Sequence, residues 1–309
     1  MAEVTLYRQA DLLSSSQARS PILNTATMIY KLIRYGKQIR SLQRYNLAMT
    51  RAGAGAILRR IVPQVPTTWE FRGFSQHGED GIIDYLLSCL RKANRYFIEI
   101  GCADGHENNT SWLALARGFS GLMIDGNQKD IAWCKFMLES MNYGLEFRHM
   151  FVTLDNLQEL CAKCKDPDLI SIDIDGNDLF VAEGLFRNGF RPKIWVVEYN
   201  SAFGPDLGLT IPYKADFRLS HDGDSSLYCG CSITAWKNLM GSYGYRFISV
   251  ESCGVNAFFV DPDAFESSFV DSIIPLHFAE NISHSRQYRT SWHEQFALIE
   301  DRDLVEVKR

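Results

Sequence analysis

Acidic residues and glycines close several of the short apolar runs in this sequence, and those run ends are where chemistry is available. The first run finishes as Glu99-Ile-Gly101-Cys-Ala-Asp104-Gly105. Gly101 and Gly105 let the chain turn sharply and pass close to a ligand with no Cβ in the way. The spacing is E-x-G-x-x-x-G. A dinucleotide pattern through Gly101 would need a glycine at 99 or at 103, where Glu99 and Ala103 stand. A carboxylate here disfavours a pyrophosphate and favours a ligand with a cationic amino-acid end, of which S-adenosylmethionine is one. The second run ends at Asp125, about twenty residues further on, where a carboxylate can take both hydroxyls of an adenosine ribose. Glu99, Gly101, Asp104, Gly105 and Asp125 are therefore the expected cofactor residues. The bland alternative is a tight turn followed by a helix-capping aspartate.

A second group of acids closes the fourth and fifth runs, as Asp173-Ile-Asp175-Gly-Asn-Asp178 and Glu198-Tyr-Asn200. Side chains alternate along a strand, so Asp173 and Asp175 should point the same way, and so should Glu198 and Asn200. Three carboxylates and an amide in one cleft repel unless a proton or a cation neutralises them. Oxygen-only ligands suit Mg²⁺ or Ca²⁺, which makes Asp173, Asp175, Glu198 and Asn200 the expected metal set. The alternative is that Asp173, which also counts among the cofactor residues, caps a helix or bonds loop amides while Glu198 orients a substrate without metal. Methyl transfer from a sulfonium is mostly in-line positioning. What remains is the proton of an acceptor hydroxyl, which a base removes or a cation acidifies. His221, Asp175 and Glu198 are the candidates for base. His221 lies in a long connection, 201–231, that also carries Phe203, Tyr213 and Tyr228. A loop of that length is usually functional. It reads as a lid over the cleft whose aromatics can stack on a bound ring, with an ordinary surface histidine as the competing reading of His221.

Positioning these run ends takes a layered α/β scaffold. Strands are expected over 96–100, 121–125, 145–152, 169–173 and 194–199, alternating with helices over 109–117, 129–141, 156–163 and 179–188. A helix over 232–242 then precedes a closing hairpin, 245–250 with 257–260. Continuous apolar strands separated by helices mean a mostly parallel sheet covered on both faces, with the hairpin as an antiparallel edge. Ahead of this core, Met28, Ile29, Leu32 and Ile33 recur at helical spacing among Lys31, Arg34, Lys37, Arg40 and Arg44, giving a basic amphipathic helix of roughly 20 residues. Ala52-Gly-Ala-Gly-Ala56 reads as a hinge and Pro63-Gln-Val-Pro66 as a lead-in loop. The organisation is thus a basic helical segment 1–70, a core 71–265 and a C-terminal extension 266–309 packed on it.

Composition narrows the classes. The chain has 309 residues, 46% of them hydrophobic, with 19 Phe, 13 Tyr and 6 Trp, enough for a sizeable core. Net charge is -5, but residues 1–70 carry +7 and the remainder -12, so nucleic acid is not the expected partner. The basic segment instead suits docking on the core, a second subunit or an anionic membrane surface. The eight cysteines lack a regular framework and read as buried thiols. The first residues, Met1 to Gln9, show no basic start followed by an apolar stretch, so the expectation is a soluble cytoplasmic chain, at most peripheral to the inner face of a membrane.

Taken together, Phe74-Ser-Gln-His-Gly-Glu-Asp80, the Glu99-to-Gly105 turn, Asp173-Ile-Asp-Gly-Asn-Asp178 and Val197-Glu-Tyr-Asn200 resemble the FkbM-type class I methyltransferases over roughly residues 74 to 262. The resemblance implies a Rossmann-like seven-stranded sheet, S-adenosylmethionine as methyl donor, and a hydroxyl acceptor on a sugar, glycan or secondary metabolite. It places Ser75, Gln76, Glu79 and Asp80 beside the cofactor. Gly126 and Asn127 depart from the more usual acid-then-proline ending of the second strand, and residues 1–70 lie outside the likeness. A non-catalytic protein of the same fold, docked in a glycan-assembly complex through 1–70, is the alternative from another class.

Overall fold

The computed structural model describes residues 21–308. The N-terminal stretch read above for a leader lies outside the described residues, as do the side chains of Ile29, Arg34 and Lys37. The chain divides into two compact units, one ending at Asn46 and one spanning Leu47–Arg309. The first unit is helical from residue 21 onward and belongs to a helix, α1 (Pro21–Leu58), that runs 38 residues without a break. Ala52 to Ala56 is therefore helix and not the expected hinge. Its small residues serve close packing instead: Ala52 is fully buried, and a Cβ on Gly55 would stand 2.7 Å from the Cβ of Phe71.

The second unit is built on a seven-stranded sheet of order β3-β2-β1-β4-β5-β8-β7. The strands are β1 (Tyr96–Ile100), β2 (Ser120–Asp125), β3 (Leu145–His149), β4 (Leu169–Ile172), β5 (Ile194–Glu198), β7 (Arg246–Val250) and β8 (Asn256–Val260). The first five run parallel, and β8 lies antiparallel to both β5 and β7. The expected architecture is thus present: a mostly parallel, Rossmann-like sheet with one antiparallel edge. Helices α2 (Glu79–Ser88), α3 (Ser111–Ala116), α4 (Gln128–Leu138), α5 (Gln158–Cys161), α6 (Asp178–Arg187) and α7 (Ile233–Ser242) flank it. Both faces of the central strands are buried: Ile98, Ile100, Ile170, Ile172, Trp195 and Val197 share a core on one side, and Phe97, Leu169, Ile194 and Val196 are fully buried on the other.

Two parts of the sequence reading change. The helix expected over 156–163 shrinks to the single turn of α5, because Asn156 spends its side chain on Thr153 N–H and Phe151 C=O, a local alternative to helix. The lid is no free loop either. Its β6 (Leu209–Thr210) pairs antiparallel with β9 (Val305–Glu306). Beyond the hairpin come α8 (Ser267–Asp271), α9 (Ile282–Tyr288) and α10 (Trp292–Ala297), and Ile299 joins Ala202, Phe203, Ile211 and Leu227 in a second small core. Among the described residues no helix is long and apolar enough to cross a membrane.

Candidate functional site

The glycine turn sits where β1 runs off the carboxyl edge of the sheet. Gly101 takes φ +90°, and a Cβ there would stand 1.7 Å from the carbonyl oxygen of Asp173 on the neighbouring connection, so no other residue fits. Gly101 and Cys102 N–H groups donate to Ile124 C=O at 2.9 and 3.1 Å, tying the turn to the end of β2. Asp125 is half-buried and links two loops: Ala103 N–H donates to one carboxylate oxygen (2.8 Å) and Asn127 N–H to the other (2.7 Å). Each oxygen keeps a lone pair for a further donor such as a ribose hydroxyl. Asn127 caps α4 by accepting from Lys129 N–H at 3.0 Å.

Glu99 is spent differently from Asp125. It is 2% exposed, and both its oxygens brace the approach to α3 by accepting from Asn109 N–H (2.8 Å) and the Thr110 hydroxyl. Burial pushes its carboxyl up to about 7, against the pull of those donors. Asp104, half-buried, accepts from His106 N–H (3.1 Å) and lies 3.0 Å from His106 Nδ1.

The segment from Phe74 to Asp80 is wound around one carboxylate. Asp80 Oδ2 accepts from Gly73, Phe74 and Ser75 N–H and from the Ser75 hydroxyl, all at 2.7 to 2.9 Å. Burial raises it to about 6, and its other oxygen finds no partner among the described residues. Glu79 is buried and accepts from His77 N–H (2.8 Å) and the Asn256 amide (3.0 Å). Asn256 is in register with Glu198 across β5 and β8, so this contact joins the opening segment to the acidic cluster's own strand pair. Gln76 is exposed.

Asp173, Asp175 and Glu198 each bring a carboxylate oxygen within 4.8 Å of the others. Strand alternation is not the cause of that convergence, since β4 ends at Ile172. Asp175 instead sits at φ +60°, a left-handed conformation that aspartate tolerates better than most residues, and Asp178 fixes the turn by accepting from Ile174 and Gly176 N–H, both at 2.8 Å. Burial, then the neighbouring Asp175 and Asp178 charges, holds Asp173 well above the usual carboxylate range. Glu198 is raised by burial and by Asp173 in turn. Both carboxyls therefore hold their protons to higher pH than free ones do. Asp175, at the exposed rim, is raised by loss of hydration and pulled back by the nearby His221 ring.

Asn200 does not join this set. It is 5% exposed, accepts from Ala202 N–H at 3.0 Å, and donates to Leu227 and Cys229 C=O at 2.7 and 3.0 Å. Its amide is consumed in closing the two ends of the lid. Phe203, fully buried in the second core, is likewise unavailable to stack on a sugar, while Tyr228 O–H donates to Asp303 C=O at 2.6 Å. Sequence reasoning offers Asn109 or Thr110 only as the cap of the following helix, and gives Asn177 no role. Asn177 Nδ2 donates to Lys214 C=O at 2.8 Å and so holds the 201–231 connection to the β4 turn. Nothing in the spacing pointed to that contact, or to Glu99 as the partner of Asn109 and Thr110.

No family model matches the chain and no curated protein matches it. Solved structures do. An O-methyltransferase from Bacillus cereus, in complex with S-adenosylhomocysteine, is 17% identical over 70% of this chain and 89% of its own, at a TM-score of 0.41. An O-methyltransferase from Streptomyces achromogenes involved in tomaymycin synthesis, in complex with S-adenosylmethionine, is 16% identical over 69% of this chain and 95% of its own, at a TM-score of 0.42.

Proposed function

We propose that the chain is an S-adenosylmethionine-dependent O-methyltransferase of FkbM type, transferring a methyl group to a hydroxyl of a sugar, glycan or related polar metabolite. The observation that carries this reading is the Asp173–Asp175–Glu198 cluster, its carboxylate oxygens within 4.8 Å of one another, set against the Gly101 turn, where the Asp173 carbonyl closes on Gly101. Negative charge next to a glycine turn suits a sulfonium nucleoside, and a carboxylate of raised pKa at the same place suits removal of a hydroxyl proton. Asp125 takes the ribose, the Asp104–Gly105 turn the amino-acid end, and the Phe74–Asp80 loop the cofactor's outer side. Glu198 or Asp175 accepts the hydroxyl proton as the acceptor oxygen attacks the methyl carbon and the sulfur leaves as a thioether. His221 stands beside Asp175 as the second acceptor of that proton.

Asp173, Asp175 and Glu198 would hold a divalent cation such as Mg²⁺ through oxygen alone, and such an ion supplies the positive charge that lowers a hydroxyl pKa. The acceptor is a small molecule or glycan and not nucleic acid, in keeping with the net -12 of residues 71–309.

Calorimetric titration with S-adenosylhomocysteine tests the reading. Wild type binds, and Asp125→Ala binds roughly 10- to 100-fold more weakly, the worth of one or two charge-assisted hydrogen bonds. Absence of heat with wild type removes the proposal. Binding with no transfer of labelled methyl to any polar hydroxyl acceptor turns it into a cofactor-binding scaffold.

A further inference from the structure

Helix α1 carries an apolar seam that its own unit leaves open. Met28, Leu32, Tyr35, Ile39 and Leu42 are 64%, 59%, 62%, 40% and 51% exposed. They are spaced four, three, four and three residues apart, and the same register continues to Asn46 and Met49. That is a strict a/d heptad pattern, narrower than the broad apolar face of a helix packed on a globular core or lying in a lipid interface. Exposed Ile33 and Leu47 fall off the seam at position b, with Arg40 between them in the same row.

We infer that this seam pairs with the α1 of a second copy of the chain, forming a parallel two-stranded coiled coil over residues 28–49. Charge distribution selects the partner. Between residues 21 and 58 the helix has six basic residues and no acidic one, so two such helices would repel if those charges lined the contact. They do not: the e and g positions along the exposed seam hold Gly36, Gln38 and Gln43, with Lys31 the one described charge among them, and Tyr45 at the next g position is already buried within the chain. In a parallel pair Lys31 faces position 36, a glycine. Arg40, Arg44 and Arg51 occupy b and f, away from the seam. Area agrees. The five seam residues expose roughly 100 Å² apiece, so pairing would bury about 1,000 Å² in all, the lower bound for a specific interface.

Light scattering on the full chain tests this. Wild type at micromolar concentration runs at twice the 35.2 kDa chain mass, and the Leu32→Glu/Leu42→Glu variant at the chain mass itself. The substituted positions are exposed, so the variant keeps the wild-type thermal melt of the Leu47–Arg309 unit and its affinity for S-adenosylhomocysteine. A second measurement fixes the geometry: Leu32→Cys cross-links to itself under mild oxidation well beyond the Ile33→Cys control, since only the former sits in the seam. A monomeric wild type, a variant that stays dimeric, or equal cross-linking at 32 and 33 would each overturn the inference. So would a monomer that sediments with phosphatidylserine vesicles, which would assign the seam to a membrane.

Discussion

Replacing Glu198 by glutamine removes one charge from the acidic cluster while keeping an amide that can donate to Asp173. The carboxylate oxygens of the cluster lie within 4.8 Å of one another. Two unit charges at that separation, at an effective dielectric of about 20, repel by about 3 kcal/mol. Burial first, and this repulsion second, raise both the Asp173 and the Glu198 carboxyls. The sign of the pH dependence follows. Folded carboxyls titrate well above the unfolded value of roughly 4, so in that window the native state binds more protons than the unfolded one. Stability is therefore fully present below the unfolded pKa and drains away as pH rises through the folded one.

Glu198→Gln removes one of the two raised carboxyls. In EDTA its thermal midpoint should gain on wild type as pH rises above about 5, by up to roughly 3 kcal/mol, or about 6 to 12 °C for a unit of this size. The same variant should lose most methyl transfer. Melting curves that shift with pH in parallel for the two proteins would refute the raised carboxyl at Glu198. Added Mg²⁺ should raise the wild-type midpoint at high pH and leave Glu198→Gln nearly unmoved, and equal effects on both would remove the cation from the site.

Gly101→Ala places a methyl group 1.7 Å from Asp173 C=O at φ +90°. It should cost about 3 kcal/mol or more and lower the midpoint by roughly 10 °C, and a variant as stable as wild type in a urea melt would contradict the described turn. Asn200→Ala strips three hydrogen bonds from the ends of the lid, so trypsin should cut faster at Lys214 and Arg218 while S-adenosylhomocysteine affinity stays put. Cleavage at the wild-type rate would show that Asn200 does not hold the lid.

The sheet was legible because four of its parallel strands are mostly apolar runs buried on both faces, which admit few readings, with the Gly101 turn and Asp125 at their ends; the edge strand β3, Leu-Glu-Phe-Arg-His, is partly exposed and polar. The Asp173–Asp175–Glu198 convergence was legible in outcome though not in cause, since the left-handed backbone at Asp175 leaves no mark that spacing rules detect. Asn200 was misplaced for a related reason. Alternation predicts a direction only while the strand lasts, and β5 stops at Glu198. The apparent hinge at 52–56 failed because glycine and alanine serve flexibility and close packing alike, and only the position of Phe71 separates the two. Helix α2 was missed although Ile82, Ile83, Leu86 and Leu87 recur at helical spacing behind an acidic first turn, whereas the pairing of β6 with β9 depends on residues far along the chain, which no local pattern carries.

Those distant contacts decide where acceptor selectivity can reside. Both ends of the 201–231 connection are committed to structure, the first through Phe203 and Ile211 in the second core and β6 on β9, the last through Leu227 and the Tyr228–Asp303 hydrogen bond. The middle approaches the turn that carries the acidic cluster. Asn177 holds it at Lys214, Phe217 lies so close over Gly176 that a Cβ there would meet the ring at 2.3 Å, and Arg218 stacks on Phe151 at 3.6 Å. On the proposed function, the span from Lys214 to His221 is the part of the connection that faces an acceptor, while Tyr213, whose hydroxyl accepts from Leu154 N–H at 3.2 Å, and the aromatics nearer its ends hold it in place. β9 and Asp303 anchor that connection. On the same reading, sequence change there should alter how firmly an acceptor is held before it alters how the methyl group moves.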